Sequence, residues 1–499
     1  MKNRREQPKG NRSPTMSDSY KVLFISAEVA PYAKRGGLGD VGGSLPIALK
    51  ELGHDVRVVM PAYRSVEESL DDGRYKLNIL PGQLLVPVGK GTMATGVFEG
   101  RLPGSDVPIY FIAEGYQFNR PEIYGYDDDP YRFAIFSRAA LSLCQALGWR
   151  PDLVHANDWH TAPAVAWLAT AGGADEFFQG IPSLFSIHNL IHQGRTEWQL
   201  FDYLGILTHS LYEEAYGEVN LMARGIYHAT VINTVSPTYA REIMTKEGGF
   251  GLDGLLRYRA NDVHGILNGI DTKVWDPAND SRLVSFFDVD HLENRAANKA
   301  ALQAKAGLPQ RADIPLLAMI SRLDWQKGLD IIGHVIHLLM NGYAGEAQFI
   351  VLGTGSYEYE QMFRRLANYH REKMTAYLEY NPGLAPQIYA GSDIFLMPSL
   401  FEPCGLGQML AMRYGSVPIV RATGGLADTV QDGITGYTFY DFDAGAFWKA
   451  IQRAIWTYNV DPPSWRQMQI NGLQSDFSWK KSAQGYQQLY EWALATSKT

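Results

Sequence analysis

The feature that most constrains the fold is an alternation of strand-like and helical segments that runs along the chain and then starts a second time. The first series contains six apolar, strand-like runs between residues 21 and 236: KVLFISAE, HDVRVVMP, PIYFIAE, DLVHAND, PSLFSIHN and TVINTVS. The second series contains PLLAMISRL, AQFIVLG, IFLMPS and VPIVRATG between residues 315 and 424. Strands that alternate with helices pair in parallel, and helices cover both faces of the sheet. The sequence therefore predicts an α/β protein with two doubly wound domains that face each other.

A change of composition between the two series indicates where one domain ends. The segment VHGILNGIDTKVWDPANDSRL, residues 263–283, is rich in Gly, Asn, Asp and Pro and is the best candidate for a linker. We place the N-terminal domain at residues 20–264 and the C-terminal domain at residues 265–475. Residues 476–499 are predicted to form a helix that crosses back to the N-terminal domain, and residues 1–19 a basic, disordered tail. A short targeting segment is the alternative for the tail.

Composition argues against several classes of function. The 499 residues carry 45 Lys and Arg against 53 Asp and Glu, a formal net charge of −8, which does not suit a nucleic-acid or anionic-membrane partner. The longest apolar runs are strand-sized, so no membrane span is expected. The sequence contains two cysteines, Cys144 and Cys404, too few for a disulfide framework and consistent with a reducing compartment. We therefore expect a cytoplasmic protein without a nucleic-acid or membrane partner.

The loop KRGGLGDVGG, which follows the first strand, combines cationic side chains with glycines. It contains the pattern G-x-G-x-x-G at residues 37–42, but AEVAPYAKR separates these glycines from the strand, and the next strand ends at Pro61 without an acidic residue. A nicotinamide-dinucleotide site requires glycines directly after the first strand and an acidic residue at the end of the second, so that interpretation fits poorly. A structural glycine turn is a second alternative. We favour an anion site in which Lys34 adds charge to the main-chain N–H groups near Gly36 and Gly37.

A related turn occurs in the second series. RGGLGDV at residues 35–41 reappears as TGGLADTV at residues 423–430, so each domain carries a Gly-Gly-Leu-x-Asp turn between a strand and a helix. Ligands of doubly wound sheets bind outside the carboxyl ends of the strands. Two such turns could therefore close on one anionic ligand from opposite sides. Chance similarity between short glycine motifs is the alternative.

Two motifs of the second series carry charge. In SRLDWQKGLD, Arg322 and Lys327 follow an apolar strand, where both could reach a diphosphate, although a surface ion pair is the simpler explanation of isolated charges. In FEPCGLG, Glu402 precedes a turn and a helix, so its carboxylate either contacts a ligand or caps the helix. Cys404 follows without an adjacent base, and we expect a structural or pocket-lining cysteine instead of a nucleophile.

Polar residues at two strand ends of the first series could bind the hydroxyl groups of a sugar. Asp158 ends one strand, and His188 and Asn189 end another. Asp158 and His188, together with His155, His160 and His192, could be taken for a metal site, but no H-E-x-x-H or paired C-x-x-C pattern is present. The acidic run YDDDP at residues 126–130 matches the Asp-x-Asp pattern of metal-dependent sugar transferases. Solvated charge and helix capping explain that run more simply, so no metal is predicted.

These motifs together resemble those of the bacterial glycogen synthases and plant starch synthases, over nearly all of residues 20–490. The resemblance implies the GT-B fold, in which two Rossmann-like domains face a deep cleft. The N-terminal domain would form the acceptor side and the C-terminal domain the nucleotide-sugar side. It also implies a retaining transfer of glucose from ADP-glucose to the non-reducing end of an α-1,4-glucan, without a cofactor or a metal.

The same resemblance assigns roles to individual residues. Arg322 and Lys327 would neutralise the leaving diphosphate, while Glu402 would contact the transferred glucose. Asp158 and His188 would lie at the sugar site, where His188 holds the glucose in its reactive pose. The loop at Lys34 would close on the diphosphate of the donor. The other substrate-binding residues implied are Gly36, Gly37, Asn189, Asn268, Tyr380, Cys404, Gly405, Leu406, Gly407, Thr423, Gly424 and Gly425.

Two departures from the family pattern leave parts of this assignment open. Tyr380 occupies the place of an aromatic ring that stacks on the nucleotide base, but the surrounding LEYNPGLAPQIYAG is unlike the usual wording. Arg35 stands where Thr or Val is more common. UDP-glucose as donor, a small acceptor, a non-catalytic glucan-binding protein and a nicotinamide oxidoreductase stay as alternatives. Oligomeric state and primer length are not predicted.

Overall fold

The computed structural model describes residues 19–206 and 218–497. The strands are β1 Lys21–Ile25, β2 Asp55–Pro61, β3 Asn78–Ile79, β4 Leu84–Val88, β5 Gly91–Arg101, β6 Pro108–Ala113, β7 Leu153–Asn157, β8 Ser183–Ile187, β9 Arg195–Thr196, β10 Val219–Asn220, β11 Val231–Thr234, β12 Val263–Gly265, β13 Leu316–Ile320, β14 Gln348–Leu352, β15 Met374–Tyr377, β16 Ile394–Met397, β17 Val417–Arg421 and β18 Tyr437–Phe439. Except for Ser19, the tail predicted at residues 1–19 lies outside the described residues.

Helices connect most of these strands. They are α1 Gly37–Glu51, α2 Arg64–Asp72, α3 Gly115–Phe118, α4 Asp129–Ala146, α5 Ala162–Ala169, α6 Gln199–Leu204, α7 Leu221–His228, α8 Pro237–Glu242, α9 Asp253–Tyr258, α10 Arg295–Lys305, α11 Leu329–Met340, α12 Tyr357–Tyr369, α13 Ala385–Gly391, α14 Gly407–Arg413, α15 Gly424–Thr429, α16 Ala444–Val460, α17 Pro462–Gln474 and α18 Trp479–Thr496. Short 3-10 helices lie at Ala171–Ala174, Ala260–Asp262, Leu292–Asn294 and Trp325–Lys327.

The strands form two main sheets with the same core order. The first sheet runs β12-β11-β8-β7-β1-β2-β6-β5-β3, and the second runs β15-β14-β13-β16-β17-β18. Strands β12 to β6 of the first sheet and all strands of the second are parallel. Both sheets follow the 3-2-1-4-5-6 order of doubly wound folds, so the predicted fold class is confirmed. The order reverses between β1 and β7 in the first sheet and between β13 and β16 in the second, and ligand crevices are expected at these points.

Burial explains why the sequence pattern predicted these sheets well. Strands β7, β8 and β14 are buried at every residue, as expected for parallel strands with helices on both faces. The antiparallel extension formed by β3, β4 and β5 was not predicted. Its strand β4 alternates between buried and exposed residues and contains a proline, which gives a weaker apolar signal than a fully buried strand.

Helix α18 returns from the second domain and packs on the first. Tyr490 shares a hydrogen bond with His155 of β7 at 2.8 Å, and Asn233 of β11 donates one to Tyr486 at 3.2 Å. Ser482 donates to the carbonyl of Leu267 at 2.7 Å, which joins the helix to the segment between the domains. The chain therefore passes between the domains twice.

One further property concerns membranes. Within residues 19–206 and 218–497, no helix has both the length and the apolar character that a membrane crossing requires.

Candidate active site

A cavity of about 370 Å³ lies between the domains, where both sheets present the carboxyl ends of their strands. Its walls come from the loop after β1, from the segments after β13 and β16, and from the connection between the domains. These are the positions at which the strand order of each sheet reverses. Predicted site residues on its walls are Lys34, Gly36, Arg322, Lys327, Glu402, Gly405, Leu406 and Gly407, and Asp40, Ser44, Asp271, Trp275, Ser321, Ser399 and Trp479 are among the others.

An ion pair between Lys327 and Glu402 forms the second-domain wall. The Lys327 Nζ lies 2.6 Å from Glu402 Oε2, and Ser399 Oγ donates to the same oxygen at 3.1 Å. Both charged side chains are at most 15% exposed, so the pair is largely removed from water. Within the described residues, the hydrogen bonds given for this carboxylate all go to Oε2. The other oxygen is therefore available to a ligand in the cavity.

Lys327 is held in this position by the local chain. It ends the 3-10 helix at Trp325–Lys327, whose first turn is capped by Asp324 through the N–H of Gln326 at 3.1 Å. Gly328 then adopts φ +70°, and a Cβ there would lie 2.1 Å from the carbonyl oxygen of Pro398. The close approach of Gly328 to the β16 segment brings Lys327 to Glu402 although 75 residues separate them.

Arg322 offers a second cation to the cavity. Its side chain is 64% exposed and lies 3.4 Å from Asp324. An exposed ion pair of this length contributes little to stability, so the guanidinium can turn toward an anion at small energetic cost. Arg322 also lies near enough to His192 of the first domain to help lower the pKa of that imidazole, after burial, which is the larger cause. The guanidinium of this second-domain residue therefore lies near the first domain as well.

The first Gly-Gly-Leu-x-Asp turn is held by a carboxylate of its own domain. Glu28, 5% exposed, accepts hydrogen bonds from the N–H of Arg35 at 2.5 Å, the N–H of Gly36 at 3.0 Å and the hydroxyl of Tyr124 at 2.9 Å. The N–H of Gly36 was expected to face a ligand, and Glu28 accepts its hydrogen bond instead. Lys34 lies on the cavity wall and pairs with Asp40 at 2.6 Å.

The second turn is held by a carboxylate of the other domain. Glu242, the last residue of α8, accepts hydrogen bonds from Thr423 Oγ1 at 2.9 Å and from the N–H of Gly424 at 3.0 Å. The next N–H, that of Gly425, donates to the carbonyl oxygen of Glu402 at 3.1 Å. Thr423, Gly424 and Gly425 are not among the residues that line the cavity, and lie behind Glu402. The expectation that both turns face one anion is therefore not met in this arrangement.

Asp158 and His188 form a buried pair at the end of the first sheet. Asp158, at φ +56°, accepts a hydrogen bond from the N–H of His188 at 2.7 Å. Burial raises the pKa of Asp158 to about 7, and the nearby Glu28 carboxylate adds to this, while main-chain N–H groups oppose it. Loss of water around the carboxylate disfavours the charged form, so acid and carboxylate are about equally populated near pH 7.

The orientation of His188 leaves one ring nitrogen free. Asn157 uses its NH₂ group to donate to the carbonyl of Ile25 at 2.9 Å, so its oxygen accepts from His188 Nε2, also at 2.9 Å. Burial lowers the pKa of His188 to about 3, which keeps the imidazole neutral. Its Nδ1 is then an acceptor, and it has no hydrogen-bond partner in the described part of the chain. An acceptor of this kind suits a sugar hydroxyl, but the atom is closed to solvent in this arrangement, and neither His188 nor Asp158 is among the residues that line the cavity.

The remaining predicted residues are more scattered. Asn189 Oδ1 accepts from the N–H of Ile191 at 3.3 Å within a turn. Asn268 is buried, its Oδ1 has no partner among the described residues, and its N–H donates to Cys404. Burial raises the pKa of the Cys404 thiol to about 12, which does not suit a nucleophile. Tyr380, after β15, is 79% exposed and is not on the cavity wall.

The acidic and histidine-rich segments have internal partners. The two ring nitrogens of His155 contact Tyr490 and Ser186 at 2.8 and 2.7 Å. Asp128 forms a bidentate pair with Arg120 at 2.6 Å, and Asp129 Oδ2 accepts from main-chain N–H groups of its own turn. Among residues 19–206 and 218–497, no three His, Cys, Asp or Glu side chains form a group that could hold a metal ion.

Three residues that hold the predicted site residues or their turns in place were not identified from the sequence. Ser399 follows β16 and Glu28 follows β1, so the strand-end rule could have found both. Glu242 lies in a short helix of the first domain and contacts the second, and no local pattern indicates that partner.

A shallow groove of about 490 Å³ in the first domain leads toward the same region. It is lined by Trp159, Ile191, His192, Gln193, Gly194, Arg195 and Phe250. The ring of Phe250 lies 5.6 Å from that of Phe401, the residue before Glu402. The groove therefore reaches the second domain beside the Lys327–Glu402 pair.

Comparison with known proteins identifies similar chains. A family model described as the starch synthase catalytic domain matches residues 21–258, and one described as glycosyl transferases group 1 matches residues 303–461. A glycogen synthase from Moorella thermoacetica is 45% identical over 490 residues, covering 96% of this chain and 98% of that protein. One from Thermotoga maritima is 42% identical over 485 residues, covering 95% and 99%.

Solved structures give the same picture. The catalytic domain of starch synthase IV from Arabidopsis thaliana, bound to ADP and acarbose, has a TM-score of 0.86 and 34% identity over 96% of this chain and 100% of that one. A sucrose-phosphate synthase from Thermosynechococcus elongatus has a TM-score of 0.58 and 18% identity over 94% and 98% of the two chains, which shows a shared fold alone. These similarities confirm both the two-domain fold and the resemblance inferred from the motifs.

Proposed function

The chain belongs to the family of bacterial glycogen synthases and plant starch synthases, glycosyltransferases of GT-B fold, and on that premise we propose how its cleft transfers glucose. The donor is ADP-glucose and the acceptor is the non-reducing end of an α-1,4-glucan. ADP bound to the similar Arabidopsis starch synthase supports the choice of nucleotide. A nucleotide-sugar donor and two unpaired, buried cysteines suit the cytoplasm.

The cations of the cavity hold the donor diphosphate. Arg322 and Lys327 line one wall and Lys34 the opposite one, so a diphosphate between them meets positive charge from both domains. Negative charge grows on the diphosphate as the bond to glucose breaks, and fixed cations stabilise it without rearranging. The reaction then requires no metal.

Glu402 and His188 hold the glucose. The oxygen of Glu402 that Lys327 and Ser399 leave free can accept a sugar hydroxyl on the second-domain side. The unpartnered Nδ1 of His188 is the candidate acceptor for another hydroxyl on the first-domain side; this buried atom must become exposed to the sugar, and Asp158 fixes the main chain of His188. Asn268, with an unpartnered Oδ1, is a further candidate for a donor contact. A carboxylate near the anomeric carbon also stabilises positive charge that develops there.

The acceptor glucan lies in the groove of the first domain. Trp159 and Phe250 supply apolar surface, while His192, Gln193 and Arg195 supply hydrogen-bonding groups. The acceptor 4-hydroxyl attacks on the same face as the departing diphosphate, which takes its proton, so the α configuration is retained. Closure of the domains around both substrates excludes water and limits hydrolysis.

One observation carries this proposal: a buried Lys327–Glu402 pair lies on a cavity that Lys34 faces from the other domain. The test measures nucleotide release and labelled-glucose transfer from ADP-glucose and from UDP-glucose, with glycogen present and absent, with and without a metal chelator. We expect glycogen-dependent transfer from ADP-glucose that the chelator does not affect. Transfer to small alcohols but not glycogen, or glycogen binding without turnover, would contradict the proposal.

A further inference from the structure

The inference concerns the contact between α8 of the first domain and α15 of the second. Glu242 Oε1 accepts hydrogen bonds from Thr423 Oγ1 at 2.9 Å and from the N–H of Gly424 at 3.0 Å. One carboxylate oxygen of the first domain thus holds the first residues of a second-domain helix. Hydrogen bonds to an ionised acceptor are about twice as strong as neutral ones.

The turn that Glu242 holds is joined directly to Glu402. The N–H of Gly425 donates to the carbonyl oxygen of Glu402 at 3.1 Å. Gly424 packs so closely that a Cβ there would lie 1.9 Å from the same oxygen. The turn and the main chain of Glu402 are therefore hydrogen-bonded and closely packed, so we expect a displacement of the turn to displace the carboxylate that pairs with Lys327.

The same short helix makes two further contacts around Glu402. Thr238 donates to both oxygens of Asp428, through its N–H and its hydroxyl, each at 2.7 Å. Ser236, the residue before α8, donates to the carbonyl oxygen of Pro403 at 2.6 Å. Pro403 directly follows Glu402, so the first domain contacts the Glu402 segment directly as well as through α15.

We propose that Glu242 is a positioning residue that sets the orientation of Glu402 when the two domains lie together. Its carboxylate fixes the Thr423–Gly425 turn, the turn fixes the Glu402 main chain, and the carboxylate of Glu402 is then directed at the donor sugar. The contact exists only while the domains meet, so it links domain closure to assembly of the catalytic wall. This inference rests on the proposed function, because it assigns Glu242 an effect through Glu402.

A purely structural role would have different consequences. A capping carboxylate stabilises a helix end but does not act on a reaction step. If Glu242 were only a cap, its loss would lower the melting temperature and leave kcat unchanged. If Glu242 positions Glu402, its loss lowers kcat while the affinity for the donor nucleotide, which the cations determine, changes little.

The test compares Glu242→Ala and Glu242→Gln with Glu247→Gln, an exposed carboxylate on the loop after α8 that serves as control. We expect Glu242→Ala to lower kcat about tenfold, the rate equivalent of one charge-assisted hydrogen bond, and to change KM for ADP-glucose by less than about twofold. Glu242→Gln keeps an oxygen that can accept both hydrogen bonds but loses the charge, so it should regain part of kcat. Small-angle X-ray scattering should show the same radius of gyration for Glu242→Ala and the wild type with ADP bound, because the diphosphate still joins the cations of both domains.

Several results would overturn the inference. Unchanged kcat in Glu242→Ala, failure of Glu242→Gln to regain any activity, or a larger radius of gyration of ADP-bound Glu242→Ala would each do so. If Glu242→Ala does not fold, Thr423→Val can replace it, because it removes the hydroxyl that donates to Glu242 with little change of shape. Normal kcat in Thr423→Val would also overturn the inference. A wild type that transfers no glucose would contradict the proposed function, whereas a wild type that transfers glucose and a Glu242→Ala variant that does so equally fast would contradict this inference alone.

Discussion

The two Gly-Gly-Leu-x-Asp turns are nearly identical in sequence and differ in what surrounds them. At Gly36 and Gly37 an added Cβ would meet no atom within 4 Å, so the first turn faces open space beside the cavity. At Gly424 and Gly425 a Cβ would lie 1.9 and 2.1 Å from main-chain oxygens of the Glu402–Cys404 segment. The first turn can admit a ligand, whereas the second is filled by the protein itself.

The carboxylates that hold the turns differ in origin as well. Glu28 comes from the same domain and precedes Gly36 by eight residues, so the first turn is complete within one domain. Glu242 comes from the other domain, so the second turn is complete only when the domains meet. In both turns a carboxylate of the protein accepts hydrogen bonds from main-chain N–H groups, and the two turns differ in which domain supplies that carboxylate.

The largest expected effect on kcat comes from breaking the ion pair between Lys327 and Glu402, whose main chain the second turn contacts. Lys327→Ala and Glu402→Gln should each lower kcat by on the order of 10²-fold or more, by analogy with the loss of one preorganised charge-stabilising group. Steady-state transfer to glycogen measures this, and thermal melting reports whether folding is preserved. Glu402→Gln with normal kcat and reduced thermal stability would make Glu402 a structural residue.

The next largest effect is on the free energy of unfolding, and it distinguishes the tightly packed turn from the open one. Gly424→Ala introduces a methyl group against the Glu402 carbonyl at φ +45°, and should lower the free energy of unfolding by roughly 1–3 kcal/mol and also reduce kcat. Gly36→Ala meets open space and should change that free energy by less than about 0.5 kcal/mol. Urea denaturation of both variants tests the contrast. Equal destabilisation would show that the turns are packed alike.

Particular residues show how far sequence reasoning reached. Each strand-like run of the two series became a strand, and Lys34, Arg322, Lys327 and Glu402 were placed together, because parallel strands end at one edge of a sheet. The pairing of Glu242 with Gly424 was not predicted, since it joins residues 182 apart across two domains. Tyr380 was assigned to the nucleotide, yet it lies exposed away from the cavity wall.

A smaller effect concerns the buried face of the first domain. The folded-state pKa of Asp158 is raised to about 7 from 3.8, because burial penalises the carboxylate. A raised pKa contributes stability below the unfolded value, and that stability is lost as pH rises through the folded value. Relative to Asp158→Asn, the wild type should therefore lose free energy of unfolding between about pH 4 and 7.

Urea denaturation at several pH values checks this prediction. Using the difference between the two proteins removes the contribution of His188, whose lowered pKa has the opposite effect as pH falls below 6.5. Parallel stability curves would show that Asp158 is charged throughout and that its surroundings are more polar than the structure indicates.

The most direct test of the difference between the turns is the dissociation constant of ADP, measured by isothermal titration calorimetry for the wild type, Lys34→Ala and Glu242→Ala. Lys34 faces the cavity beside the open turn, so its loss should raise the Kd about tenfold, as expected for one charge-assisted contact. Glu242 holds the filled turn, so its loss should change the Kd by less than about twofold while kcat falls. An equal increase of the Kd in both variants, or an increase in Glu242→Ala alone, would contradict the account.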